Sequence, residues 1–179
     1  MRIVITGLQE ATAQIQAAVK VGVMNGLSVA GARAEALVKE TIAQPYLGRP
    51  PAVATGNLVN SITFQVSQGT PTSKATIFAG APADQYAGYV EAGTGRHFPP
   101  PSALLLWVQK KFSPSSEKQA LSIAFAIARK ISRRGTSAFG MFARAFQKLE
   151  PELGGIFQAQ IAKAIEAAGA APGGAGAAG

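Results

Sequence analysis

"TGLQEATAQIQAAVKVGVMNGLSVAGARAEALVKETIAQP", residues 6–45, decides how the rest of the chain has to be arranged. Thr6 and Gln9 make a T-x-x-Q capping box, in which the two side chains satisfy amides that a helix start leaves unpaired. Leu8, Ala11, Ile15, Ala18, Val19 and Val23 follow at helical spacing, with Gln14, Gln16 and Lys20 off that face. Val29 through Ile42 carry Leu37, Val38, Thr41 and Ile42, and Pro45 ends the run because it has no amide to donate. Gly22 and Gly26 stand between the two stretches, and a helix-interior Gly costs about 1 kcal/mol against Ala. The sequence therefore describes one long helix with a weak middle, or two helices. Unbroken, it would be on the order of 55 Å long. That is more than a small domain buries, so such a helix implies packing against other subunits.

Outward from this helix the patterns are shorter. "MRIVITG" before it is a strand candidate, with β-branched Ile3, Val4 and Ile5 stopped by Gly7. After it, "QPYLGRPPAVATG" is a proline-rich extended loop. Ile62, Phe64 and Val66 alternate with Ser61, Thr63 and Gln65, as in a half-buried strand. "SQGTPTS" is a turn cluster, and "KATIFAG" is the returning strand of a hairpin. Residues 85–92 fit a helix or a short strand. "SALLLWVQKKF" is an amphipathic helix expected to begin at Ser102. Ser116 and Gln119 make a second capping box for a helix showing Leu121, Ala124, Phe125, Ala128 and Ile131 on one face, with Gly135 as its C-terminal cap. Phe139, Phe142, Ala145, Phe146 and Leu149 mark another helix. Pro151 is expected to start a last one, at the first helical position, with Leu153, Ile156, Phe157, Ile161 and Ile165. The class expected is α+β, dominated by helices: a long N-terminal helix, a small antiparallel sheet and several C-terminal helices. Residues 1–168 form a single domain in this reading, and 169–179 a mobile Ala/Gly tail.

Composition narrows the function. The chain has 179 residues, 47% of them hydrophobic, enough for a core in one domain. No apolar run approaches the roughly 20 residues a bilayer needs, and the N-terminus lacks the apolar stretch of a secretory signal. We therefore expect neither export nor a membrane anchor. With no cysteine there is no disulfide, thiolate nucleophile or cysteine-based zinc site, which fits synthesis inside a cell. The net charge is +8, and it is concentrated beyond residue 100, which points to a polyanionic partner or an acidic neighbouring subunit.

"YVEAGTGRHFPPP", residues 89–101, gathers the residue types of an active-site loop. A dinucleotide fingerprint would need a third glycine where Phe98 stands and a helix where three prolines stand; no Walker lysine follows either. Gly93-Thr94-Gly95 is then a tight turn needing positive φ. His97 and Asp84 are the single histidine and the single aspartate, and no serine lies in a nucleophile elbow, so a Ser-His-Asp set has little to build on. No second imidazole or thiol is present to complete a metal site, and the nine acids are scattered singly. The expectation is a structural His97, hydrogen-bonded to Glu91 or a loop carbonyl, with no catalytic, metal or cofactor site. The cluster Arg129, Lys130, Arg133 and Arg134 is the strongest charge feature. It suits contacts with phosphates, but also a helix C-terminus, where the dipole favours cations, or an intersubunit contact. These readings stay open.

Laid out in order, "ATGNLVNSI", "YVEAGTG", "HFPPP", "WVQKK" and "IARKISRRGTSAFGMFARAF" carry a family resemblance. Over roughly residues 2–150 the chain resembles the neck, or tail-completion, proteins at the head–tail junction of tailed bacteriophages. The motif Thr-Gly-x-Leu-x-x-Ser-Ile is matched by Thr55, Gly56, Leu58, Ser61 and Ile62. Tyr-x-x-Tyr-Val-Glu-x-Gly-Thr is matched by Tyr86, Tyr89, Val90, Glu91, Gly93 and Thr94. A longer subgroup's features fall on His97, Pro99, Pro100, Trp107, Val108, Ile131, Gly135 and Thr136. Two departures are Val59, where a basic residue often stands, and Ala92, where the family has a bulky one.

The resemblance implies a non-enzymatic virion protein, made in the host cytoplasm, that joins the tail to the DNA-filled capsid. It implies a homo-oligomeric ring, six-fold or twelve-fold, in contact with other neck and tail proteins and with no membrane. Thr55, Gly56, Glu91, Gly93, Thr94 and His97 become candidates for loop architecture or a subunit contact. Arg129, Lys130, Arg133 and Arg134 become candidates for contact with a neighbour or with DNA in the channel. Three alternatives stand beside this expectation: a tail terminator ring, a nucleic-acid-binding module using residues 129–134, and a hydrolase using Glu91 and His97.

Overall fold

Where the structure, a computed structural model, describes the long N-terminal stretch, it is one unbroken helix, α1 (Leu8–Ala43). The described residues are 8–48, 51–53 and 55–170. The expected strand at 1–7, the Thr6 end of the first capping box and the expected tail from 171 onward lie outside them. After α1 come α2 (Asn57–Ser61), β1 (Ile62–Ser67), β2 (Lys74–Ala79), α3 (Asp84–Ala92), β3 (Gly93–Thr94), α4 (Pro101–Phe112), α5 (Glu117–Arg134), β4 (Thr136–Ser137) and α6 (Met141–Ala170). Strands β1 and β2 pair as a hairpin, and β3 pairs with β4. Helix accounts for 68% of the described residues, so the sheets are accessory and the expected helix-dominated α+β class is what is observed. The described residues divide into two compact units. One gathers 8–33, 64–76 and 149–170; the other gathers the rest of the described chain up to residue 148.

In the first unit, the glycines that look like a weak point of α1 are where another helix comes close. A Cβ on Gly22 would stand 2.6 Å from the Cα of Ile161, and one on Gly26 would stand 2.5 Å from the Phe157 ring. Only a missing side chain permits such an approach. Partners that fall in number as α1 rises show that α1 and α6 run antiparallel here. Gly31 accommodates the Phe64 ring of β1 in the same way. Further along, Arg33 grips Glu152 with two parallel hydrogen bonds, Nε to Oε2 at 2.7 Å and Nη2 to Oε1 at 2.8 Å. The pair is exposed, so it contributes alignment more than stability. Hydrogen bonding from Arg33 holds the Glu152 carboxyl below the usual carboxylate range.

Pro151 does not start a new helix. It lies inside α6, which runs without interruption from Met141. The proline has no amide for the carbonyl of Gln147, a defect of about 3 kcal/mol in a helix interior. Contacts made by Glu152, Phe157 and Ile161 with α1 hold the residues beyond it in helical register, so tertiary packing overrides the local preference.

In the second unit, α4 and α5 enclose a small core of Val108, Ala120 and Ala124, flanked by Leu104, Leu105, Ile123 and Ile127. Helix α4 starts at Pro101, one residue ahead of the expected Ser102, because a proline at the first position loses no helical hydrogen bond. Ser116 caps α5 as expected, accepting from the Gln119 amide at 3.2 Å. The Gln119 side chain closes on Ser115 instead of on Ser116. The buried edge of α5 is Ala120, Ala124 and Ala128, whereas Leu121 and Phe125 are 41% and 48% exposed. This corrects the expected apolar face. The seam against α4 takes the smallest side chains, and the bulky residues one position on are left outside it. Residues 85–92, ambiguous in sequence, belong to helix α3.

Elsewhere in this unit Arg144 lies over Tyr46 at 3.8 Å and over Phe139 at 4.5 Å from the ring centroids. It also donates to the carbonyls of Gly140 and Thr41. Among the described residues the buried Thr41 hydroxyl has no hydrogen-bond partner, a defect worth about 1–3 kcal/mol.

Two outcomes are expected. Gly22→Ala should lose about 1–3 kcal/mol in denaturant unfolding through forced overpacking, while Gly154→Ala, in open space on α6, should gain about 0.5–1 kcal/mol. A stabilised Gly22→Ala would contradict the close approach. Secondly, because the folded-state pKa of Glu152 is depressed, its pairing stabilises the protein above the unfolded-state pKa and is lost as pH falls through the folded value. A carboxyl NMR titration should place Glu152 below the usual range, and Arg33→Met should return it there.

Candidate functional site

Two helices of the second unit end in the same way. Helix α3 ends at Gly93, with φ +75°, and α5 ends at Gly135, with φ +69°. The Gly93 amide donates back to the Tyr89 carbonyl, and the Gly135 amide to the Ile131 carbonyl at 2.7 Å. Glycine suits both places because positive φ combined with an extended ψ, −174° at Gly93 and −162° at Gly135, is a conformation that a Cβ disfavours. Each glycine is followed by a threonine, and the two Gly-Thr exits meet. Strands β3 and β4 pair antiparallel, with Gly93 opposite Ser137 and Thr94 opposite Thr136. The hydroxyls of Thr94 and Thr136 are 2.9 Å apart, and the Thr136 amide donates to Thr94 Oγ1 at 3.2 Å. A Cβ on Gly93 would run into the Thr136 carbonyl, and one on Gly135 into that of Thr94. We call this arrangement the Gly-Thr clasp.

Beside it sits the glutamate of the same motif. The Glu91 carboxylate accepts from the Phe142 amide at 2.9 Å and from the Ala143 amide at 3.1 Å. These are among the amides that the start of α6 leaves unpaired, and a negative charge there also complements the helix dipole. The backbone joins in, since the carbonyls of Val90 and Glu91 accept from the Phe139 and Gly140 amides. "YVEAGTG" and "GTSAFGMF" are thus laced into one structure, and the role of Glu91 is to cap a helix 51 residues away.

The other candidates fall elsewhere in this unit. His97 is exposed, and its Nδ1 lies 3.0 Å from the Gly95 carbonyl. That contact requires the proton on Nδ1 and makes the histidine a local loop tie; its partner is the loop carbonyl, not Glu91. Thr55 and Gly56 introduce α2. Gly56 has φ +83°, and the Asn57 amide approaches Thr55 Oγ1 at 3.4 Å. Arg129, Lys130, Arg133 and Arg134 are all exposed on the last turns of α5. The clasp places Gly95, and with it the start of the Arg96-His97 loop, against Gly135.

The two candidate reactive groups are engaged with backbone. Glu91 is committed to two backbone amides, and the His97 ring to its own loop. Among the described residues no group of three or more His, Cys, Asp or Glu could hold a metal ion, and no helix is long and apolar enough to cross a membrane. In the first unit a groove of about 530 Å³ is walled by Ala17, Ala18, Val21, Ala164 and Ala167, with Lys163 beside them. It offers no acid–base pair.

No local pattern in the sequence marks the long-range cap by Glu91 or the position of Arg96. The repeated Gly-Thr at 93–94 and 135–136 was the available signal for the clasp.

Glu91→Ala is expected to lose about 1–2 kcal/mol in denaturant unfolding, the range of a lost helix cap, with Glu91→Gln intermediate because it keeps one acceptor oxygen. Equal stability of Glu91→Ala and wild type would show that water replaces the carboxylate without cost.

Comparison of the chain with protein-family models, with curated proteins and with solved structures finds no match.

Proposed function

We propose that this chain is a non-enzymatic structural protein of a tailed bacteriophage, a ring-forming subunit of the neck that completes the tail at the head–tail junction. The ordered motifs of the sequence suggest this reading. The observation that carries it furthest is where the large apolar side chains of α4 and α5 lie. Leu106, Trp107 and Phe112 on α4, with Leu121 and Phe125 on α5, are between 38% and 57% exposed. Trp107 and Phe112 meet edge to face, 5.6 Å between centroids, which pre-orders them in solvent. Side chains of this size left outside the core favour burial in an assembly.

The clasp supports the same reading from another side. The motif residues with reactive groups, Glu91 and His97, are used to fix backbone. Their work is to hold a shape, as a ring subunit requires when its opposed surfaces must complement one another around a closed rotation. A homo-oligomeric ring of six or twelve copies, seated among other neck and tail proteins in the virion, is the assembly this reading calls for.

Native mass measurement of the full chain, alone and with candidate neck and tail proteins, is the test. A closed oligomer of six or twelve copies is expected, and Leu121→Asp with Phe125→Asp should shift it towards smaller species without unfolding the subunit. A wild-type chain that stays monomeric alone and with every partner would overturn the proposal.

A further inference from the structure

Residues 92–149 carry ten Lys or Arg and a single acid, Glu117. Some of these cations are engaged: Lys148 pairs with Glu40, Lys111 donates to the Pro51 carbonyl, and Arg144 is stacked on Tyr46 and Phe139. Arg96, Arg129, Lys130, Arg133 and Arg134 are exposed, and none of them is in an ion pair among the described residues. Apart from Glu117, at the opposite end of α5, the carboxylates of the same unit are used elsewhere. Glu35 pairs with Lys39, Glu40 with Lys148, and Glu91 caps α6; Asp84 accepts from the Gln85 amide.

The helix dipole accounts for only part of this cluster. It favours Arg133 and Arg134 in the last turn of α5, and its influence fades within that turn. Arg129 and Lys130 stand one turn earlier, making two i,i+4 rows about 6 Å apart in rise. Arg96 belongs to no helix. It is brought here by the clasp: the carbonyl carbon of Gly95, to which Arg96 is bonded, lies 3.0 Å from where a Cβ on Gly135 would stand. The residue after Gly95 and the residue before Gly135, Arg96 and Arg134, therefore leave the clasp from one place.

We propose that the Gly-Thr clasp completes a binding surface for the phosphate backbone of a nucleic acid, formed by Arg96 together with Arg129, Lys130, Arg133 and Arg134. Four of the five cations are arginines, whose planar forks match phosphate oxygens in bidentate fashion. The charge gathers at one end of α5 instead of running along its polar face, unlike a helix that lies in a membrane interface. The surface carries no element that reads base edges, so binding is sequence-neutral and driven by counterion release. Neither the cluster nor its proposed partner depends on the ring reading.

The test is anisotropy of a labelled DNA duplex with the full chain between about 50 and 200 mM salt. Five phosphate contacts give a slope of log K against log salt of about −4.5, at about −0.9 for each contact. Arg96→Ala is expected to weaken binding and reduce the slope by about 0.9, and alanine at all four α5 positions should leave a slope below about 1 in magnitude. Thermal melts of Arg96→Ala should match wild type, since its side chain is exposed, and the four-alanine variant should remain folded with a melt lowered only by the lost dipole contribution of Arg133 and Arg134. A flat salt dependence of the wild type would overturn the proposal. So would an Arg96→Ala slope equal to wild type, which would leave the helix end acting alone. Anionic lipid vesicles and poly-glutamate run in parallel: binding to either with none to the duplex assigns the surface to another partner and also overturns it. A monomer that binds duplex as described keeps this inference and sinks the ring, whereas a ring with a flat salt slope does the reverse.

Discussion

Helix α6 begins at Met141 with amides that its own segment cannot satisfy, and Glu91 supplies the missing acceptor from 51 residues upstream. Much of the second unit's arrangement follows from that contact. To put the Glu91 carboxylate at the start of α6, the end of α3 has to lie against residues 139–143, and the Val90 and Glu91 carbonyls then meet the Phe139 and Gly140 amides. The chain leaving α3 is consequently delivered alongside the chain leaving α5, and the two Gly-Thr segments pair. A charged acceptor at a helix start is favoured twice, by hydrogen bonding and by the dipole. It accounts for why one carboxylate can organise so much irregular backbone.

Close backbone approach is the second recurrent device. Gly22, Gly26 and Gly31 admit Ile161, Phe157 and Phe64 in one unit, and Gly93 and Gly135 admit carbonyls of the opposite strand in the other. The alanine seam of α5, Ala120, Ala124 and Ala128, works on the same principle. Along α5 the buried edge is therefore made of small side chains, and the large Leu121 and Phe125 are displaced outward. Apolar surface on α4 and α5 and the exposed cations around the clasp are the features on which the proposed assembly and the proposed phosphate contact rest.

Elements set by local signals were legible in the sequence. The long helix, the hairpin, the Ser116 cap and the Gly135 cap follow from periodicity, β-branching and glycine chemistry over a few residues. Features set by distant contacts were not. Pro151 has every local mark of a helix start, yet it lies within α6 because Glu152, Phe157 and Ile161 are anchored on α1. Leu121 and Phe125 belong to the apparent apolar face of α5, but the approach of α4 selects the alanine edge beside them. Gly22 and Gly26 look like helix weakness until the facing helix is known. At the clasp, Glu91, Gly93, Thr94 and Gly135 could be singled out by type, but a cap spanning 51 residues leaves no local pattern. Arg96 carries no local signal, because only the clasp puts its backbone beside the end of α5.

The central claim is that Glu91 and the clasp form one cooperative structure with the start of α6. Amide hydrogen exchange tests it most directly, read at Phe139, Gly140, Phe142 and Ala143 in wild type and in Glu91→Ala. The account requires all four amides to exchange slowly in wild type, at a common opening free energy, and to lose protection together in the variant. Slow exchange at Phe139 and Gly140 that survives the substitution, or fast exchange at Phe142 and Ala143 in wild type, would contradict it.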